Sequence, residues 1–202
     1  FAVTGIDIDE AYVNRLSNKQ FQSPEPYVSE WLNAATNFTA SVNLSDVINN
    51  EFQVLFIMVA TPAGPDGSYS HQQIERIAEE LKKAGRRSKK IQLVIGCTTM
   101  PGYCDLLHQQ LAPYNYAVSY SPEFIAQGSI IKNQQYPDQI LIGEADEDSG
   151  DIIAAVLKKI ALNNPVVCRM GWLSAEICKV ATNCFLTTKI SFANSIGDLA
   201  IK

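Results

Sequence analysis

Apolar runs rich in β-branched residues alternate along this chain with segments whose apolar positions recur at helical spacing. That alternation is the βαβ pattern of a mostly parallel sheet covered on both faces. The predicted strands are Phe1 to Ile6, Val54 to Val59, Ile91 to Cys97, Tyr116 to Tyr120, Gln139 to Ile142 and Pro165 to Arg169. Helices are predicted at Glu10 to Leu16, Glu25 to Ala35, Ser70 to Gly85, Gly102 to Leu111 and Asp148 to Ile160, and Ser41 to Ile48 reads as a short strand and turn. From Leu173 to Lys202 the helical spacing runs on through Val180, Cys184, Thr187, Ile190 and Ala193 or Asn194. A helix of that length spans ~45 Å, more than a small domain needs, and reads as an interdomain connector or a dimer element. The expected fold is therefore α/β: a Rossmann-like, mostly parallel sheet over residues 1–170, then the start of a long central helix over 171–202. The chain opens on Phe1 and closes on Lys202 inside a helical pattern with no stop signal, so a fragment is expected.

Composition narrows the function classes. The 202 residues are 47% hydrophobic and 18% charged, enough for a substantial core. A formal charge of −5 and a pI near 5.0 argue against a protein that works by neutralising nucleic-acid phosphates. No run approaches the roughly 20 apolar residues of a membrane span, and a signal-peptide pattern is missing, so a cytoplasmic protein is expected. The five cysteines (Cys97, Cys104, Cys168, Cys178, Cys184) show no CxxC spacing, and two histidines are too few to complete a zinc site, so no metal is expected. Reduced thiols are the default reading.

Two short stretches carry chemistry. Ser121-Pro122-Glu123-Phe124 follows a predicted strand, and Glu176, Lys179 and Asn183 share one face of the long helix at i, i+3 and i+7. A carboxyl beside an aromatic ring tends toward a raised pKa and suits a general acid or base, so Glu123 is a candidate; the alternative is a surface Pro-Glu turn. Lys179 could neutralise a developing alkoxide and Asn183 could position a hydroxyl or a water. The competing reading is that Glu176 and Lys179 form an exposed salt-bridged pair. At the end of the first strand, Asp7 could accept hydrogen bonds from the adenosine ribose of NAD, or Asp7 or Asp9 could cap the next helix. Thr61 and Thr98 sit where strands end, facing the crevice in which open α/β sheets bind dinucleotides, although either could merely belong to a turn. The Gly-rich loop that should precede an Asp7-type strand does not occur, consistent with loss of the first βα unit.

Taken together, Gly5-Ile6-Asp7-Ile8-Asp9, Ser23-Pro24-Glu25-Pro26, Val59-Ala60-Thr61-Pro62, Cys97-Thr98-Thr99-Met100-Pro101-Gly102, Ser121 to Gly128, Glu176 to Asn183 and Lys189-Ile190-Ser191-Phe192-Ala193-Asn194 resemble the UDP-glucose/GDP-mannose dehydrogenase family, in the family's order over essentially the whole chain. The resemblance implies NAD-dependent four-electron oxidation of the C6 alcohol of a nucleotide sugar, UDP-glucose first, through a thiohemiacetal and a thioester, with GDP-mannose or a UDP-N-acetylhexosamine as alternatives. It implies that Asp7, Val59, Thr61, Pro62, Thr98 and Gln127 bind NAD. Glu123, Phe124, Ile125, Ala126, Gln127, Lys179 and Asn183 would contact the nucleotide sugar. Glu123, Lys179, Asn183 and Thr98 would be catalytic, and the long helix would build a homodimer. The chain departs from the family pattern at Tyr12, where a basic residue is usual, at Gln127 for Glu, Gln139 for Arg, Cys97 for Ser and Tyr103 for Thr. None of its cysteines lies in the Gly-rich loop that carries the family's nucleophile, so no nucleophile is assigned and the chain alone is expected to be inactive. An interpretation of another class is a truncated, non-catalytic dimerising module, and a related β-hydroxyacid dehydrogenase would leave Ser121 to Gly128 unexplained.

Overall fold

The computed structural model describes residues 1–48 and 52–201. Seven strands and eight α-helices follow one another as β1 (Val3–Ile6), α1 (Glu10–Ser17), α2 (Val28–Ala34), β2 (Phe38–Ser41), α3 (Leu44–Ile48), β3 (Val54–Ile57), α4 (Gln72–Lys83), β4 (Ile91–Ile95), α5 (Tyr103–Leu111), β5 (Tyr116–Tyr120), α6 (Ile130–Gln135), β6 (Gln139–Gly143), α7 (Glu147–Ile160), β7 (Val166–Met170) and α8 (Trp172–Ala200) among the described residues. The strands pair as β1-β2 and as β3-β4-β5-β6-β7. Read outward, β2-β1 and β3-β4-β5 correspond to strands 3-2 and 4-5-6 of the doubly wound order 3-2-1-4-5-6, with the order's first strand not among these seven.

β4 and β5 are the spine of the core. Every residue of each is buried, as expected of parallel strands covered on both faces. Ile74, Ala78 and Leu81 of α4 and Cys104, Leu107 and Leu111 of α5 pack there, while Ile153 and Ala154 of α7 join Val94, Ile140 and Ile142 in a second cluster.

Several local expectations need correction. The stretch read as a strand and turn over Ser41 to Ile48 instead ends β2 at Ser41 and becomes the short helix α3. Helix α2 begins at Val28 rather than Glu25, because Pro24 and Pro26 disfavour helical backbone before them and Tyr27 adopts a left-handed φ of 68°. The sheet is mostly parallel, as expected, with one antiparallel step where β6 meets β5 at Tyr120 and Gly143; β6 and β7 are parallel to each other. Between β5 and β6 the 18 residues 121–138 hold only the six-residue helix α6, not a crossover helix packed across the sheet. The chain therefore re-enters the sheet from the end at which it left. As a result β6 runs beside the segment that follows β5, and the Ser121 hydroxyl donates to the Leu141 carbonyl at 3.0 Å.

The long helix closely follows its predicted span, except that Lys202 lies outside the described residues. Its first turns dock on the sheet: Ala175 is fully buried, and the Trp172 indole donates to the Val118 carbonyl at 2.9 Å. This approach requires Gly143. A Cβ there would stand 2.9 Å from Ala175 Cβ and 3.2 Å from both Trp172 Cα and Tyr120 Cβ, none of them the movable end of a side chain. Gly143→Ala is accordingly expected to destabilise the fold by about 1–3 kcal/mol. Urea unfolding measures this, and an unchanged midpoint would refute the packing account.

Candidate active site

Two loops leave adjacent parallel strands and converge on α8. The first runs from β4 through Gly96, Cys97, Thr98 and Thr99 to α5; the second runs from β5 through Ser121, Pro122, Glu123 and Phe124. They are stitched together where Ser121 N–H donates to the Ile95 carbonyl at 2.9 Å and Glu123 N–H donates to the Gly96 carbonyl at 3.3 Å.

Helix α5 explains how α8 is held against them. Its N-cap is Gly102, at φ 92°, which has no side chain with which to satisfy the first free N–H groups. Glu176 supplies the cap from α8. Its carboxylate accepts from Gly102 N–H at 2.6 Å, Cys104 N–H at 2.9 Å and the Thr99 hydroxyl at 2.9 Å. Glu176 is 0% exposed, so the reading of an exposed Glu176–Lys179 pair is overturned: this carboxylate is a buried cap for another helix. On the far side of the loop, His71 accepts from Met100 N–H at 3.1 Å and stacks on Tyr103 with ring centroids 3.7 Å apart. Burial pushes the His71 imidazole below its usual pKa, which favours the neutral form able to accept that bond.

One turn after Glu176, Lys179 is 8% exposed. Its Nζ donates to the Glu123 backbone carbonyl at 2.7 Å and lies 4.5 Å from the centroid of the Phe124 ring. Burial pushes the Lys179 ammonium below the usual lysine range, with the Glu123 charge partly opposing. Burial also pushes the Glu123 carboxyl up, countered by a hydrogen bond from Gln134 and by the Lys179 charge. A buried ammonium and a partly buried carboxyl thus meet around one peptide segment. A lysine has three donors, and one is committed to Glu123, leaving others for a developing oxyanion.

The predicted residues divide by place. Glu123, Phe124 and Lys179 are in contact, and Asn183 follows one turn along the same helix, half-buried. Thr98 is half-buried on the β4 loop, next to the Thr99 that Glu176 anchors. Val59 packs against the core; Thr61 is half-buried and Pro62 exposed after β3. Since Ile57 pairs with Ile95, Thr61 and Thr98 follow the same ends of neighbouring parallel strands. Ile125, Ala126 and Gln127 are exposed on the loop before α6. Asp7 ends β1, in the other sheet, half-buried, with Oδ1 accepting from Asp9 N–H at 2.9 Å. Asp9, not Asp7, caps α1 by accepting from Tyr12 N–H at 3.0 Å. Asp7 is therefore released from the capping role.

The sequence reading missed Gln134 and Thr99 and mistook the role of Glu176. One signal was available for Glu176: a helix opening on glycine needs a cap from elsewhere, and a carboxylate on a strongly apolar helix is a natural source.

Residues 1–161 match the family model for the UDP-glucose/GDP-mannose dehydrogenase family, NAD binding domain. The chain belongs to this family. Among proteins it resembles, a UDP-glucose 6-dehydrogenase of Bacillus subtilis is 31% identical over 215 residues, covering 99% of this chain and 46% of that protein. A GDP-mannose 6-dehydrogenase of Azotobacter vinelandii is 27% identical, covering 98% and 47%. A solved UDP-glucose dehydrogenase of Pyrobaculum islandicum superposes with a TM-score of 0.85 at 28% identity, covering 97% of this chain and 46% of its own. The chain thus spans about half the length of the relatives it matches.

The cofactor of this family's domain is NAD, and the residues present fit part of it. An acceptor-only carboxylate, Asp7, stands at the end of a parallel strand, where such a group hydrogen-bonds ribose hydroxyls. The strand-end hydroxyls of Thr61 and Thr98 are polar and half accessible. The Cys97 thiol, next to Thr98 along the chain, is pushed up by burial and so kept protonated. Among the described residues no cluster of three or more potential metal ligands occurs, and no helix is long and apolar enough to cross a membrane.

Proposed function

We propose that the protein to which this chain belongs is a nucleotide-sugar 6-dehydrogenase that oxidises the C6 alcohol of UDP-glucose to a carboxylate in the cytoplasm. The chain contributes the NAD-binding domain over residues 1–170 and, over 171–202, the start of a central helix. The overall change consumes one alcohol, one water and two NAD⁺ and yields one carboxylate, two NADH and three protons. The observation that carries this reading is Lys179, an almost fully buried ammonium whose Nζ donates to the Glu123 carbonyl at 2.7 Å. Such a group has little reason to be buried unless a charge develops beside it.

NAD, when bound, accepts the hydride leaving C6. The chain's own residues hold and polarise what remains. Asp7 engages the adenosine ribose, and Val59, Thr61, Pro62, Thr98 and Gln127 line the cofactor cleft. Lys179 stabilises negative charge on the C6 oxygen, and Asn183 orients that oxygen and its attacking water. Phe124, Ile125, Ala126 and Gln127 contact the sugar. In the final hydrolysis Glu123 takes a proton from water as oxygen bonds to the thioester carbon and the C–S bond breaks, releasing a thiolate. That thiol belongs to a cysteine outside this chain.

Homodimerisation through α8 completes the reading. Phe185, Leu186, Ile190, Phe192 and Ile196 are each at least half exposed, an apolar surface that a second copy would cover. Phe192→Glu should shift the full-length protein toward monomer in sedimentation equilibrium; an unchanged mass would discard this interface. The activity itself is tested by NADH formation from the full-length protein offered UDP-glucose and GDP-mannose separately. Inclusion of the second sugar is supported by the resemblance to the Azotobacter enzyme. Failure with both sugars would favour a non-catalytic dimerising module.

A further inference from the structure

We propose that Gln134 is a positioning residue for Glu123, fixing which carboxyl oxygen faces the reacting centre and keeping the group ionised there. This rests on the reading of Glu123 as the base. Glu123 and Gln134 both line a cleft between the Ser121–Ile125 segment, β6 and the end of α7, whose walls include Pro122, Phe124, Ile140, Leu141, Leu157 and Ile160. Apolar walls disfavour a carboxylate, and burial is the leading cause of its upward shift. Against that, the Gln134 amide donates to Glu123 Oε1 at 2.8 Å. Oε2 remains to take a proton from water.

Gln134 is itself held from two directions. It lies on α6, whose approach is fixed by Glu25: the carboxylate accepts from Gly128 N–H at 2.6 Å and Ile130 N–H at 3.3 Å. The neighbouring Asn133 accepts from Ala126 N–H at 2.9 Å. A segment more than a hundred residues earlier in the chain therefore sets the helix that sets the base. Lys179 does not fill this role, because its hydrogen bond goes to the Glu123 carbonyl. Among the residues lining the cleft Glu123 alone titrates, and Lys179 on α8 is the charged group acting on it from another element.

Gln134 donates to the charged form, so its loss must raise the Glu123 pKa. A general base works only above its pKa, so the acid limb of kcat must then move to higher pH. In the full-length enzyme, Gln134→Leu is expected to shift that limb upward by about one unit or more, with turnover recovering at high pH. A uniform fall in kcat with the limb unmoved would overturn the proposal and leave Gln134 a packing residue. If Gln134→Leu does not fold, the unbranched Gln134→Met is read in the same way. Titration of the Glu123 carboxyl by ¹³C resonance, assigned with Glu123→Gln in the same protein, separates the two layers. Full activity in Glu123→Gln would defeat the base assignment. An unshifted carboxyl titration in Gln134→Leu would defeat the Gln134 proposal alone.

Discussion

Glu176→Ala is expected to remove about 3 kcal/mol or more of stability, a large share of the 5–15 kcal/mol typical of a folded domain. The carboxylate is fully buried and serves three donors, the N–H groups of Gly102 and Cys104 and the Thr99 hydroxyl. Leaving a buried donor unpaired costs roughly 1–3 kcal/mol each, and water has no easy route to replace the lost acceptor. Glycine at the N-cap means that no local side chain can compensate. Glu176→Gln should lose less, because it keeps the shape and one carbonyl oxygen while turning an amide toward a donor. Urea unfolding of the variants in the full-length protein measures both. A loss below about 1 kcal/mol for Glu176→Ala would mean that α8 is held to the sheet chiefly by Ala175 and Trp172, not by this cap.

Lys179→Ala is expected to lower kcat/KM by about 10²- to 10³-fold, the usual cost of removing one preorganised oxyanion donor. Lys179→Arg should not restore it, because a planar guanidinium does not fit where a compact ammonium meets a carbonyl at 2.7 Å beneath a ring. The pH profile carries a second signature. Since burial pushes the Lys179 ammonium below the ordinary lysine range, its proton, and with it the stabilising charge, is lost at lower pH than on a free lysine. The wild-type rate should therefore fall on the alkaline side, and that limb should vanish from the residual activity of Lys179→Ala. Activity within a few-fold of wild type would show that the ammonium is structural.

The strands and the long helix were legible because their signals are periodic and cumulative. Ile91–Ile95 is a continuous apolar run buried on both faces, and α8 repeats its apolar spacing over many turns. Segments decided by tertiary contacts were not legible. Helix α6 is six residues of Ile130-Ile131-Lys132-Asn133-Gln134-Gln135, below the length at which spacing says anything, and its approach depends on Glu25 from the far end of the chain. The antiparallel step at β6 lies beyond the same stretch, and no periodic signal marks a strand's direction. Glu123 and Lys179 stand out in the sequence because charged residues beside apolar ones attract scrutiny. Their meeting through the Glu123 backbone carbonyl could not be read, since a main-chain acceptor leaves no mark in sequence. The same holds for Glu176: i, i+3 spacing suggested a pair with Lys179, but a buried carboxylate goes where unpaired N–H groups are, and those lay more than seventy residues away.

The central claim is that these residues serve a four-electron oxidation. Its most direct test is the stoichiometry of NADH released per UDP-glucose consumed by the full-length protein in single-substrate progress curves, with and without Lys179→Ala. Two NADH per sugar, with both hydride transfers slowed by the substitution, is the predicted result. One NADH per sugar with an aldehyde accumulating, or no NADH from either UDP-glucose or GDP-mannose, would contradict it.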